Sequence, residues 1–394
     1  MQITKEQIEL ANQAFEKIDP EYEIEIVDLE VGDEEVKLSL PRDTVDLKTE
    51  DFLLYINEIN GLDISKKRVR SPLITQIPII GHDFALDVLI ERYKLEYNND
   101  GIRIRLIDNP ILIGVGAVTL GEYSKYCPPC SSYSAVEVIY STADKKFTEE
   151  SEMKLIKSFL FEYSNISGQA IDFYEIRDSY WEGYEEEEEI EVKDIKIEVL
   201  PQYTEGMDLF VKALGTFDSE ISFLYNYKII EYYAPISAKI LAHETLTRKL
   251  DSIRVSGANS KDLTAILSIA EQYRNSQTDK ELAQSLLSHT VDIVDTFPKL
   301  PESIQKNIAK SVGFNKTGLS YTTKPETLQQ IINVLGSILY STRNSIVHAK
   351  SNYKSDKNEC PKDDLAQLND FLKHVTYSII NWHNRLPGHI KTDG

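Results

Sequence analysis

Three groups able to act on a phosphodiester fall close together in STRNSIVHAK, residues 341–350: Arg343, Asn344 and His348. An imidazole titrates near neutrality and can give or take a proton, a guanidinium can offset charge on a phosphoryl oxygen, and a carboxamide can orient either. Together they suit proton transfer beside a phosphate. One such set holds a single titrating group, whereas two chains related by a two-fold axis would supply both an acid and a base. Taken singly, the same residues are a surface histidine and a salt-bridging arginine. Their convergence is what favours a site.

The element that must carry them is a helix. Leu328, Ile332, Leu335, Leu339, Thr342 and Ile346 recur at alternating spacings of four and three, which predicts a helix over 325–350 with a core-facing seam. At about 100° per residue, Asn344 and His348 project from the side opposite that seam and Arg343 lies on its flank. The polar groups are thus expected to point away from the core of their own domain.

Arg343-Asn344-(three residues)-His348, within ILYSTRNSIVHA, resembles the Arg-polar-x3-His signature of HEPN domains, helical bundles of prokaryotic and eukaryotic defence and toxin proteins. FLYNYKIIEYY, residues 223–233, is similar to an early helix of HEPN proteins of the abortive-infection type. The likeness covers about the last 190 residues and does not extend to the first 200. It implies a metal-independent endoribonuclease working as a homodimer in antiviral defence or toxin-like growth arrest. His348 would activate the ribose 2′-hydroxyl or protonate the leaving 5′-oxygen, Arg343 would stabilise the phosphorane-like transition state, and Asn344 would orient phosphate or histidine. Products would end in 2′,3′-cyclic phosphate and 5′-hydroxyl. Some HEPN toxins carry a tyrosine two positions after the histidine, which a nucleotidyltransferase modifies; Lys350 stands there in this chain, and the nearest tyrosine is Tyr353. The alternative reading is a non-catalytic HEPN module that binds a protein or nucleotide as sensor or scaffold.

Nothing else in the chain carries comparable chemistry. Glu231 shares a helical face with Leu224 and Tyr227, so it should be partly buried and need a cation from the bundle. The three cysteines, Cys127, Cys130 and Cys360, cannot build a disulfide framework. CPPC at 127–130 reads as a structural turn, since no second Cys or His pair accompanies it; half a metal site or a redox dithiol is the other reading. His82, His243, His289, His374, His383 and His389 lack paired ligand spacing, and His243-Glu244 is half of an HExxH motif only. No metal or cofactor is expected.

The 394 residues suit two domains. Residues 1–201 hold 43 acidic against 21 basic side chains and residues 202–394 hold 21 against 22, so the charge of −21 resides almost wholly in the first half. There, alternating runs such as YEIEIVDLEV, EVKLSL, GIRIRLI and SAVEVIYS read as strands, while 4–18 and 148–168 read as helices, the second capped by Thr148 and stopped by Gly168. The tract Glu185 to Glu189 reads as a solvated strip, or else as an acidic arm that restrains the site. After Pro201 the periodicity is helical nearly throughout, with Pro235 predicting a kink or break. The expected architecture is an α+β domain over 1–202 that senses or regulates, followed by an all-α HEPN-like bundle over 203–394. RNA would be the substrate, the helical half would dimerise, and a phage or host protein could act as trigger at the first domain. No apolar run approaches the roughly 20 residues of a membrane span, and MQITKEQIEL has no signal-peptide core, so a soluble cytoplasmic protein is expected.

Overall fold

A computed structural model describes residues 35–59, 61–81, 86–178, 192–256, 260–275, 278–315, 319–347 and 358–391, with a few positions before residue 35. The chain forms two compact units, Met1–Tyr203 and Thr204–Gly394. The first combines sheets with helices and the second is largely helical, the coarse division that the hydrophobic periods predict.

In the first unit, β1 (Ile26–Val27), β2 (Glu35–Leu40) and β3 (Asp43–Lys48) make a small antiparallel sheet. The larger sheet comprises β4 (Asp63–Ser65), β5 (Arg68–Arg70), β6 (Ile74–Gly81), β7 (Tyr93–Asn99), β8 (Ile102–Asp108), β9 (Ser134–Tyr140), β10 (Ile171–Phe173) and β11 (Lys193–Ile197). Its order is β11-β7-β8-β9-β6-β5-β4, with β10 also on β6, and only β11 with β7 is parallel. β7 and β8 are joined by Asp100 (φ 52°) and Gly101 (φ 76°), the pair of left-handed residues that a two-residue hairpin demands. A side chain at Gly101 would also strike the Ser141 hydroxyl.

The alternation along β8 sorts its residues between two faces. Ile102, Ile104 and Leu106 join Val136, Val138 and Tyr140 of β9, and the helix Glu149–Ser167 packs onto them through Ile156, Phe159, Leu160 and Tyr163. That helix starts at the Thr148 cap and stops at Gly168 (φ 77°), as its sequence signals require. Around Ala135 and Ile139 a second core holds the helices Thr49–Ile59 and Ile111–Leu120. The latter, ILIGVGAVTL, escaped periodic reading for a physical reason: eight of its ten residues are buried, so it has no polar face to set a 3.6-residue period.

The second unit is built around the helix Ser219–Ser256, which packs against the helices Glu205–Leu214, Asp279–Thr290 and Leu365–Arg385. It is one helix through Pro235, so of the kink or break expected there the break does not occur, and the Ser237 hydroxyl donates to the Ala234 carbonyl at 2.9 Å. A buried polar pin joins it to the last long helix, where the Thr376 hydroxyl donates to Asn226 Oδ1 at 3.3 Å. The helix Asp279–Thr290 stops where it does because Asp292 accepts from the amides of Val294 and Asp295 and starts the short helix Ile293–Thr296. The helix Glu302–Val312 follows Pro301 and ends at Gly313 (φ 78°). No described helix is long and apolar enough to cross a membrane.

Candidate active site

The motif helix is described over Pro325–Val347. Its buried arc is wider than the predicted seam. Ile331 and Ile338 are buried beside Ile332, Leu335, Leu339 and Thr342, whereas Leu328 and Ile346 at the ends are only partly covered. Two contacts fix its position. Gly336 lets it approach the helix Asp279–Thr290 so closely that a methyl group there would lie 2.6 Å from Gln284 Cγ. Gln284 Nε2 in turn donates to the Asn333 carbonyl (2.7 Å) and the Ser337 hydroxyl (3.1 Å). Farther along, the Thr342 hydroxyl donates to the Ile338 carbonyl at 2.8 Å and accepts the Cys360 amide at 2.9 Å, tying the returning chain to the motif helix.

Arg343 sits about 20° around the helix from Ile332, at the edge of the buried arc. It is therefore half-buried, and its guanidinium faces the long helix, where Nη2 lies 3.5 Å from Glu231 Oε1. This differs from the expectation that every polar group of the motif turns away from the core, and the broader buried arc is the cause. Glu231 meets the expectation of partial burial, and Arg343 is the cation it pairs with. The Arg343 Nη1 group donates to Asn344 Oδ1 at 3.2 Å, so the structure brings these two motif residues together. His348 lies outside the described residues, as do Lys350 and Tyr353.

Sequence reasoning missed Tyr227. It precedes Glu231 by four residues on the long helix, and burial first, then the charge of Glu231, pushes its phenol pKa up while Arg343 opposes them. The available signal was the i, i+4 spacing of a tyrosine and a glutamate on an otherwise apolar face. Guanidinium, carboxamide and carboxylate form a polar patch at the edge of the bundle core, with Tyr227 one helical turn from the carboxylate. Such a set can bind an anion on Arg343 once the carboxylate yields, with Asn344 able to orient it.

The other singled-out residues do not join this patch. Cys130 and its neighbour Ser131 donate their amides to Asp43 Oδ2, each at 2.8 Å, which pins the CPPC turn to β3. Cys127 is buried with Tyr133 and the Arg177 carbonyl around its sulfur. Burial drives the Cys130 thiol well above its usual pKa, so a structural turn accounts for this segment. His374 and His383 are both held below the usual imidazole pKa, chiefly by burial. His82 and the glutamates 185–189 lie outside the described residues, and among the described residues no cluster of His, Cys, Asp and Glu could hold a metal ion. No family model matches the chain, and neither a curated protein nor a solved structure does so.

Proposed function

We propose that the helical unit is a HEPN-type endoribonuclease that cuts RNA by attack of the ribose 2′-hydroxyl, in antiviral defence or toxin-like growth arrest. The observation that carries this reading is the pairing of Arg343 with Asn344 on the motif helix while Glu231 of the neighbouring helix neutralises the guanidinium. About a third of each side chain in this pair stays exposed to solvent, 32% for Arg343 and 37% for Glu231, so an incoming anion can reach the guanidinium. In this reading a scissile phosphate replaces Glu231 on Arg343, and charge growing on its oxygens in the transition state meets a fixed guanidinium. Asn344 holds the guanidinium plane. His348 moves the proton, and a second chain supplies the complementary acid or base across a homodimer of helical units.

The test is incubation of the purified cytoplasmic protein with total RNA in EDTA, with Arg343→Ala and His348→Ala alongside. Cleavage by the wild type, ending in 2′,3′-cyclic phosphate and absent from both variants, is the expected result. Intact RNA in the wild-type reaction overturns the reading. Light scattering of the same samples reports the dimer, and an active monomer would remove the composite site.

A further inference from the structure

Tyr227 lies one helical turn before Glu231, so the two side chains share a face of the long helix. Its ring is 1% exposed and stacks on Phe223, with centroids 6.1 Å apart and planes 20° from parallel. The hydroxyl is nonetheless buried with no hydrogen-bond partner among the described residues. An orphaned buried donor carries an uncompensated desolvation cost, and native cores leave few of them. Because burial and the nearby Glu231 charge raise its pKa, the phenol stays neutral and able to donate.

Glu231 is held loosely. Its contact with Arg343 measures 3.5 Å, longer than the roughly 2.7–2.9 Å of a charge-assisted hydrogen bond. A carboxylate with a weak grip on its cation therefore lies one turn from a donor that has nothing to donate to. We propose that Tyr227 is the receiving group for Glu231: when a phosphate of bound RNA takes Arg343, the Glu231 carboxylate leaves the guanidinium and accepts the Tyr227 hydroxyl. This rests on the reading of Arg343 as a phosphate-binding residue. No proton is transferred in the exchange. One ion pair opens, a phosphate–guanidinium pair forms, and the orphaned donor gains its acceptor. Tyr227 is thus a positioning residue that acts through Glu231, and its hydroxyl favours the liganded state over the free one.

Calorimetric titration of a 2′-O-methyl oligoribonucleotide tests the exchange, because this probe presents phosphates but no hydroxyl to attack. Wild type, Tyr227→Phe, Glu231→Gln and the double variant are compared, with cleavage of unmodified RNA assayed in parallel. Tyr227→Phe keeps the ring and should leave Tm unchanged or slightly raised while weakening binding roughly five- to tenfold. In the Glu231→Gln background the same substitution should change binding less than about twofold, since the uncharged amide has no ion pair with Arg343 to leave and can accept the hydroxyl in both the free and the bound state. Equal binding by wild type and Tyr227→Phe overturns the proposal even if RNA is cut, as does a wild type that does not bind the probe. An equal loss in both backgrounds together with a lower Tm overturns it in favour of a structural role. The expected pattern in a protein that leaves RNA intact sustains the exchange and removes the nuclease reading alone.

Discussion

Each unit sets an arginine against a glutamate, and the two pairs are built differently. In the first unit Glu137 is fully buried and has its lone pairs filled: Tyr55 and Gln76 each donate to Oε2 at 2.7 Å, and Arg105 Nε donates to Oε1 at 2.8 Å. Arg105 also reaches Asp51 at 2.9 Å, and Gln76 Oε1 accepts the Ile113 amide at 3.1 Å. The network crosses the sheet, since Glu137 of β9 is in register with Arg105 of β8 and Gln76 of β6, and it fastens the helix Thr49–Ile59 above. Burial works against the Arg105 charge, but Glu137, Tyr55 and Asp51 outweigh it and hold its pKa above the ordinary arginine range.

In the second unit Glu231 and Arg343 meet at 3.5 Å, each about a third exposed to solvent, one helical turn from a phenol with no hydrogen-bond partner among the described residues. A saturated buried network has no bond left to offer and resists change, because removing any member strands the others. A loose pair at a surface costs little to open and leaves its cation available. The same two residue types therefore serve as a fastener in one place and as a candidate site in the other.

The largest effect that would sharpen this contrast is catalytic. Arg343→Ala and His348→Ala should each lower RNA cleavage by roughly 10²-fold or more while Tm holds; a collapse in Tm would mean that Arg343 is a fastener after all. Next comes Glu137→Ala, which leaves Arg105 facing an empty acceptor site. Urea titration should show the first unit losing about 3–5 kcal/mol, and a loss under about 1 kcal/mol would dissolve the distinction between the pairs. Gly336→Ala pushes a methyl group toward Gln284 Cγ, and about 1–3 kcal/mol of bundle stability should be lost by the same measurement. Glu231→Ala, opening the loose pair, should shift stability by no more than about 1 kcal/mol. The smallest signal concerns the thiols: burial raises Cys130 and pushes Cys360 up to about 12, so maleimide should label neither at pH 8 until the chain unfolds. Rapid labelling of native protein would reopen the redox reading of CPPC.

How much was legible varied with the kind of periodicity. EVKLSL and GIRIRLI alternate buried with more exposed positions and form the expected strands; SAVEVIYS also forms its strand, although almost every residue of it is buried. ILIGVGAVTL is buried all round, so nothing in its pattern separates helix from strand. The stop at Thr290 depends on Asp292 capping a new turn, a local competition that apolar spacing does not report. At the candidate site, Arg343 and Asn344 could be named from their types and spacing. Tyr227 could be placed on the face of Glu231, but its orphaned hydroxyl could not be read, because that is a property of what surrounds it.

Sequence by itself determined the division into a sheet-bearing first half and a helical second half, since periods of 2.0 and 3.6 residues are written into the order of apolar and polar side chains. It also determined that Arg343 and Asn344 share one end of one helix, and that Glu231 needs a cation. Which cation was a tertiary decision. More than a hundred residues separate Glu231 from Arg343, and only the packing of the motif helix beside the long helix sets them 3.5 Å apart. The same holds for Glu137, whose partners come from two other strands and a helix. Periodicity says which face of an element is buried; what that face meets depends on the crossing of elements distant in sequence, and that is where the charge pairs of both units were chosen.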